Sequence, residues 1–286
     1  MLTIGLISDT HMPDRWAALP PTVFDLFRGV DLILHAGDVG ELWVLDQLAR
    51  VAPVIAVHGN DELAEETVRA LPACQIVHAA GRRILLTHGH HPDRDQEMRQ
   101  RKDDAWPPKL ARWADSGRQV GASVVVYGHT HIPFTTLVDG VWVINPGAIA
   151  SGSYLTRQCL QTVARLTLNG AGAPVVEYFD VNAPDRPLVF PVDLEAGFRA
   201  ALHRVSASLI TPELEAQRRW VLEELYPLAP GPLLDLLRRL MFRCLSGEQA
   251  VYGPDDVLAE VARTDGFPDA VRQKLRARFG DGKAEN

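Results

Sequence analysis

The stretch SVVVYGHTH, residues 123–131, joins an apolar run to two histidines that are separated by one threonine. Short runs rich in Val, Ile and Leu, bounded by Gly, Asp or Asn, are typical of buried strands. The spacing of His129 and His131 places both side chains on the same side of an extended segment, so one short piece of backbone offers two ligand atoms. The stretch therefore predicts a buried strand that ends in a binding site.

Four other apolar runs end in the same way. They are LTIGLIS (2–8), DLILHAG (31–37), VAPVIAVHG (51–59) and RRILLT (82–87). The polar residues that follow them are Asp9 and His11, Asp38, Asn60, and His88. Helix-like segments at 20–29 and 40–51 separate the first three runs, which predicts right-handed crossovers and a largely parallel α/β sheet. Because the carboxyl ends of parallel strands meet at one edge, we expect these side chains to form one site.

Later segments predict a second, mixed sheet. Residues 134–147 contain a hairpin pattern around Asp139-Gly140. Residues 159–170 and 173–181 predict further strands.

The composition divides the chain into an α/β domain, residues 1–182, and a helical C-terminal region, residues 186–286. Helix signals replace strand signals in the second part, as at Thr211, a predicted N-cap before a proline. Within the first part, residues 92–118 are polar and highly charged. This segment predicts either a solvated pair of surface helices or a cap over one side of the site.

The bulk composition is that of a soluble globular protein, with 47% hydrophobic and 23% charged residues among 286. A net charge of −7 gives no basic footprint for nucleic acid, and no apolar run is long enough to span a membrane. The N-terminal sequence MLTIGLISDTH predicts a first strand rather than a signal peptide. The three cysteines have no short spacing, which favours a reducing, cytoplasmic compartment.

Two aspartates, one asparagine and four histidines form a ligand set for divalent ions of intermediate hardness. We expect Mn, with Fe, Zn, Ni or Co as alternatives. A single histidine after a strand is usually structural, but five such strand ends in order predict a metal centre.

The series D-x-H, G-D, G-N-D, H-G-H and G-H-T-H resembles the calcineurin-like metallophosphoesterase superfamily, and most of all its small bacterial and archaeal phosphodiesterase branch. The resemblance covers roughly residues 1–182 and implies a four-layer α/β/β/α sandwich that holds two metal ions, here followed by a helical C-terminal extension. It assigns the first ion to Asp9, His11 and His131, the second to Asn60, His88 and His129, and a bridging position between the two ions to Asp38.

The resemblance implies a metal-dependent phosphoesterase, which we expect to hydrolyse small phosphodiesters, including nucleotides, by in-line attack of a bridging hydroxide. Asp38 and Asn60 would then be catalytic as well as ligands. His90 is predicted either to contact the phosphate and protonate the leaving group or to make a supporting hydrogen bond. Where many family members have histidine or cysteine after G-N, this chain has Asp61, which would be a general acid only with a raised pKa, or would orient a neighbouring histidine.

Two alternatives belong to other functional classes. Some proteins of this fold, such as the retromer subunit, are interaction scaffolds with degraded metal sites, but all seven ligand positions are present here. A nuclease or nucleotide-processing enzyme could use the basic stretch VRQKLRARF, 271–279, although its charges spread around a helix and we do not expect a nucleic-acid partner. The C-terminal helices could also mediate a homo-oligomer, since their apolar residues must be buried.

Overall fold

The computed structural model describes residues 1–62, 65–170 and 172–280. The chain divides into two compact units. The first comprises Met1–Gly152 and Gln158–Ser206, and the second comprises Ser153–Arg157 and the chain from Ala207 onward. Residues 281–286 of the predicted helical region lie outside the described residues.

Twelve strands and eleven α-helices are formed by the described residues. The strands are β1 (Leu2–Ile7), β2 (Leu32–His35), β3 (Val54–Ala56), β4 (Cys74–Ala79), β5 (Arg82–Thr87), β6 (Val124–Val126), β7 (Phe134–Val138), β8 (Val141–Asn145), β9 (Thr156–Gln158), β10 (Thr162–Leu168), β11 (Val175–Asp180) and β12 (Ser206–Ser208). The helices are α1 (Pro21–Leu26), α2 (Trp43–Leu48), α3 (Glu65–Ala70), α4 (Arg94–Lys102), α5 (Trp106–Gln119), α6 (Phe198–Val205), α7 (Pro212–Ala216), α8 (Arg218–Trp220), α9 (Pro230–Leu245), α10 (Pro254–Arg263) and α11 (Asp269–Phe279). A π-helical turn, Val221–Leu225, and a 3₁₀ turn, Tyr226–Leu228, connect α8 to α9.

Two five-stranded sheets form the frame of the first unit. The first sheet has the order β11-β10-β1-β2-β3, in which β1, β2 and β3 are parallel. The second has the order β4-β5-β6-β8-β7, with β5, β6 and β8 parallel and an antiparallel strand at each edge. The expected second, mixed sheet is therefore confirmed. The strands predicted at 159–170 and 173–181 instead extend the first sheet, where β10 pairs antiparallel with β1.

The two sheets pack face to face, and helices cover their outer faces. Residues such as Leu6 of β1 and Leu86 of β5 belong to one buried cluster between the sheets. Val23 of α1 and Val44 of α2 pack on the outer face of the first sheet, and Trp113 of α5 packs on the outer face of the second. Burial of apolar surface between these four layers is the main contribution to the stability of the first unit. The predicted α/β/β/α sandwich is confirmed.

Tight turns connect the edge strands of the second sheet. The predicted hairpin of β7 and β8 turns at Asp139 and Gly140, both with positive φ (48° and 82°), as a two-residue hairpin requires. A second hairpin joins β4 and β5 through Ala80 and Gly81 (50° and 76°). Sequence patterning did not predict β4, because this edge strand exposes alternate residues and lacks a continuous apolar run.

The second unit is built from helices around its own buried cluster. Leu236 and Met241 of α9, Val257 of α10 and Val271 of α11 are members of that cluster. The predicted N-cap is present: the Thr211 side chain accepts a hydrogen bond from the backbone N–H of Leu214. The compact units divide the chain at residue 206, whereas the composition changes near residue 186, so α6 belongs to the first unit. Of the described residues, none forms a helix long and apolar enough to cross a membrane.

Candidate metal centre

The predicted ligands all lie just beyond the carboxyl ends of parallel strands. Asp9 and His11 follow β1, Asp38 follows β2, Asn60 follows β3, His88 follows β5, and His129 and His131 follow β6. The first three strands belong to one sheet and the last two to the other. The site is thus assembled from loops of both sheets of the first unit.

One group combines Asp9, His11 and His131. Each of these residues offers a ligand atom within 4.8 Å of the others, and all three are buried. His131 Nε2 lies 3.0 Å from Asp9 Oδ1, and His11 Nε2 lies 3.9 Å from the same oxygen. This is the trio that the family resemblance assigns to the first ion.

The Asp38 carboxylate lies between this group and His88. Its Oδ2 atom is 3.6 Å from His11 Nε2 and 3.2 Å from His88 Nε2. Asp9, Asp38 and His88 also form a group whose ligand atoms lie within 4.8 Å of one another. A carboxylate that is shared by histidines from both sheets has the placement expected of a bridging ligand.

The donor set fits metal ions. Nε2 of His11 and Nε2 of His88 are buried, point into the cluster, and have no hydrogen-bond partner among the described residues. A buried polar atom without a partner carries an energetic cost. Nδ1 of His88 contacts the Ala36 carbonyl oxygen at 2.8 Å, so its other nitrogen is the one turned toward the carboxylates. Such second contacts orient histidine ligands in metal sites.

Burial and the charges of neighbouring side chains shift the pKa values of Asp9, His11 and His88 strongly. Burial opposes ionisation of Asp9, but attraction to His131 and His88 outweighs it and lowers the pKa of Asp9 to about 2. Burial also disfavours the charged form of His88, yet Asp38 raises the pKa of His88 to about 10. For His11 burial dominates and lowers the pKa to about 4. In the absence of metal, the raised pKa of His88 keeps this histidine protonated at neutral pH.

Backbone strain is concentrated at the ligands. Five of the seven predicted ligands have left-handed φ values: Asp9 (52°), His11 (45°), Asp38 (52°), His129 (68°) and His131 (60°). Positive φ is uncommon for residues other than glycine, and such outliers cluster at functional sites. The Asp9 turn is held by its neighbours: its carboxylate accepts the His129 backbone N–H at 3.0 Å, and its carbonyl accepts the Ala150 N–H at 2.9 Å.

His129 contacts a residue that the sequence did not identify. Its Nε2 lies 2.6 Å from Oε1 of Glu97, a buried residue of α4. Burial opposes ionisation of Glu97, but the hydrogen bond to His129 and other contacts lower the pKa of that carboxyl. Glu97 belongs to the charged segment 92–118, and its sequence separation of 32 residues from His129 left no local pattern to predict the contact.

Asn60 and Asp61 follow β3, where Asp61 approaches the Asp38 carboxylate. The Asp61 backbone N–H donates to Asp38 Oδ1 at 2.9 Å, and its side chain accepts from Arg15 Nη2 at 2.5 Å. Ligand atoms of Asp61, Asp38 and His11 lie within 4.8 Å of one another. Asn60 is exposed and lies next to this contact. Arg15 was not singled out from the sequence, although it follows the first ligand pair.

The loop after β5 brings His90 to the same side as the second predicted set. Its ring centroid lies 5.5 Å from that of His88 and 6.1 Å from that of His129. Burial lowers the pKa of His90 to about 4. Between His88 and His90, the carbonyl of Gly89 accepts hydrogen bonds from Arg112 Nη2 (2.7 Å) and Trp113 Nε1 (3.0 Å) of α5. The charged segment is therefore attached to the site through both of its helices.

Comparison with known proteins decides the family. The model of the calcineurin-like phosphoesterase superfamily domain matches residues 2–170. The chain belongs to this superfamily. The resemblance stated from the sequence motifs is confirmed, and with it the class of metallophosphoesterases.

Relatives in the superfamily match about half of the chain. A probable metallophosphoesterase of Methanothermobacter thermautotrophicus is 37% identical over 151 residues, which cover 51% of this chain and 77% of the relative. A phosphodiesterase of Methanocaldococcus jannaschii is 29% identical over 170 residues, 54% of this chain and 87% of the relative. Vps29 of Chaetomium thermophilum has the same fold, with a TM-score of 0.51 and 17% identity over 67% of this chain and 95% of that one.

Proposed function

We propose that this superfamily member is a metal-dependent phosphodiesterase with a dinuclear centre. The observation that carries the proposal is the position of Asp38, whose carboxylate is shared between His11 and His88. The orphaned Nε2 atoms of both histidines support it. The name of the phosphodiesterase of M. jannaschii favours diester substrates.

The proposed ligand sets are those that the family resemblance implies. Asp9, His11 and His131 would hold the first ion, and Asn60, His88 and His129 the second, with Asp38 shared. Mn is the proposed ion, and this set without thiolates would also accept Fe, Zn, Ni or Co. When bound, the two ions supply a hydroxide nucleophile at neutral pH and neutralise charge that develops on the phosphoryl oxygens.

The protein's own residues would fix where these charges lie. The Asp61 backbone N–H donates a hydrogen bond to Asp38 and fixes the position of its carboxylate. Asp38 would therefore keep a constant distance between the two ligand sets. Asn60 contributes no charge, which leaves the second site more positive toward an anionic substrate. His90 is placed beside the second set and would donate a hydrogen bond to the phosphate or the leaving group.

The contact of Asp61 with Arg15 favours a positioning role for this aspartate. The Asp61 side chain accepts a hydrogen bond from Arg15 Nη2 at 2.5 Å, and this charge-assisted contact fixes the position of both side chains. We therefore propose that Asp61 orders Arg15 and the loop after β3. The nucleotide-processing alternative would differ only in the substrate. A cytoplasmic location, self-association through the C-terminal helices and the domain boundary near residue 186 stay predictions.

Hydrolysis of bis-p-nitrophenyl phosphate tests the proposal. Metal-stripped protein should be inactive, added Mn²⁺ should restore turnover, and Asp38→Asn should lose at least about 10²-fold in kcat, as when one electrostatic group is removed from an active site. Asp46→Asn, an exposed carboxylate on α2, is the matched control and should retain full activity. Full activity of Asp38→Asn with both ions bound would contradict the proposal. A folded, metal-loaded wild type without turnover would support the scaffold alternative.

A further inference from the structure

The Glu97 carboxylate makes three polar contacts beside the proposed second metal site. Oε1 contacts His129 Nε2 at 2.6 Å and accepts from Arg101 Nε at 2.8 Å, and Oε2 accepts the His91 backbone N–H at 2.8 Å. Glu97 is only 8% exposed, although its neighbours on α4 face solvent. A buried charge with this many specific partners has a defined position.

The contact determines which nitrogen of His129 is left for a metal. An imidazole has two ring nitrogens, and a metal ligand must present one of them without a proton. Nε2 lies 2.6 Å from Glu97 Oε1, so the contact with Glu97 occupies this nitrogen. The nitrogen that remains for coordination is Nδ1.

Hydrogen bonds at both ends of helix α4 fix the position of the Glu97 carboxylate. Its N-terminus is capped by Asp93, whose side chain accepts the Gln96 N–H at 3.0 Å. At the other end, Lys109 of α5 donates to the carbonyls of Gln100 (2.9 Å) and Asp103 (2.6 Å). These bonds tie α4 to α5, and α5 is itself bonded to Gly89, next to His88.

From these contacts we propose that Glu97 is a positioning residue, which holds His129 in the tautomer and orientation that the second metal ion requires. The inference rests on the proposed dinuclear site. It gives the charged segment 92–118 a specific role, because one of its helices orients His129 and the other holds the loop of His88. The segment therefore supports the second ion and not the first. Carboxylate partners of this kind typically contribute 10- to 100-fold to metal affinity or activity.

Calorimetric titration of metal-free protein with Mn²⁺ is the test. Wild type should bind two ions, and Glu97→Gln should weaken one of them by about 10- to 100-fold while the other is unchanged. The matched control is Asp95→Asn, which removes the same charge from an exposed position on the same helix. Glu97→Asp, which keeps the charge, should recover part of the affinity, and circular dichroism should show a native fold for every variant.

His129→Ala, alone and combined with Glu97→Gln, completes a double-mutant cycle. It should weaken the same ion, and adding Glu97→Gln to it should cause no further loss, because both residues act through one interaction. In ¹H–¹⁵N spectra of the metal-free protein, the His129 ring should carry its hydrogen on Nε2 in wild type and lose this preference in Glu97→Gln.

The outcomes separate the two proposals. If wild type binds no Mn²⁺, the dinuclear site itself is wrong. If wild type binds two ions and Glu97→Gln matches Asp95→Asn, or if its loss persists in the His129→Ala background, the role of Glu97 is refuted and the metal site stands.

Discussion

Replacing Gly59 with alanine tests whether the exact position of the Asp38 carboxylate controls the site. Gly59 precedes Asn60, and its φ is not in the left-handed region, so alanine can adopt the same backbone conformation. A Cβ atom added there would overlap Asp38 Oδ1 and would lie 2.5 Å from the Asp38 backbone N and 2.6 Å from its Cγ. The substitution therefore adds one methyl group against the proposed bridging ligand and changes no charge.

The size of the effect follows from this overlap. Non-bonded carbon atoms prefer separations of about 3.5–4.0 Å, so either the carboxylate or the loop must shift by roughly 1 Å. A misplacement of about 1 Å in an active site can cost about 10²-fold, which corresponds to about 2.7 kcal/mol of transition-state stabilisation. Because the displaced carboxylate is shared, we expect Gly59→Ala to weaken both metal ions. Overpacking should also lower the free energy of unfolding by about 1–3 kcal/mol.

The assay compares kcat/KM for bis-p-nitrophenyl phosphate with Mn²⁺ affinity from calorimetry. Gly231→Ala is the control, because this glycine is the second residue of α9 and a Cβ there meets no atom within 4 Å. The control should keep its activity and gain up to about 1 kcal/mol in stability, as an alanine in a helix does. If Gly59→Ala keeps both ions and loses less than about 3-fold in kcat/KM, a distance of 1 Å at Asp38 does not limit catalysis and the steric reasoning fails.

Two further predictions concern protonation and packing. The pKa of His88 in the metal-free protein is about 10, above its usual value, so its proton is bound at pH 7–8 and must leave before a metal binds. Mn²⁺ binding should release about one proton and tighten as pH rises toward 10; equal binding enthalpies in two buffers of different ionisation enthalpy would contradict this. In the second unit, Leu236→Ala removes a fully buried side chain and should cost about 2–5 kcal/mol in urea unfolding. Leu222→Ala, at a side chain that is 56% exposed, should change stability by less than about 0.5 kcal/mol, and a similar loss in both variants would refute the assigned core.

The sequence could predict the sheets, and the clustering of the polar residues that follow their strands, because both depend on local patterns with a simple geometric consequence. A continuous apolar run such as Val124–Val126 must be buried, and parallel neighbours must end at the same edge. Residues that directly follow such runs, for example His88 and His129, are therefore brought together whatever the loops do. Strand β4 lacked that pattern, since an edge strand buries only alternate residues.

Contacts between distant segments had no such pattern. Glu97 lies in the charged segment 92–118, for which the sequence left open either solvated surface helices or a cap over the site. Nothing nearby indicates that one of its many charged residues is buried against His129. The pairing of Arg15 with Asp61 is similar, because either residue alone would be expected on the surface. Charged side chains that support a site are selected by three-dimensional geometry, and single-sequence periodicity carries no information about it.

The strained turns at the predicted ligands depend both on local sequence and on contacts between distant segments. Left-handed backbone at a residue other than glycine costs about 1–3 kcal/mol. A glycine would relieve the strain at His11, His129 and His131, but it would remove the ligand. The left-handed histidines lie in the loops that follow β1 and β6, where their imidazoles offer the predicted ligand atoms. Stability is thus lost at the positions where a bound ion can restore it, so metal binding should raise the stability of the first unit more than that of the second.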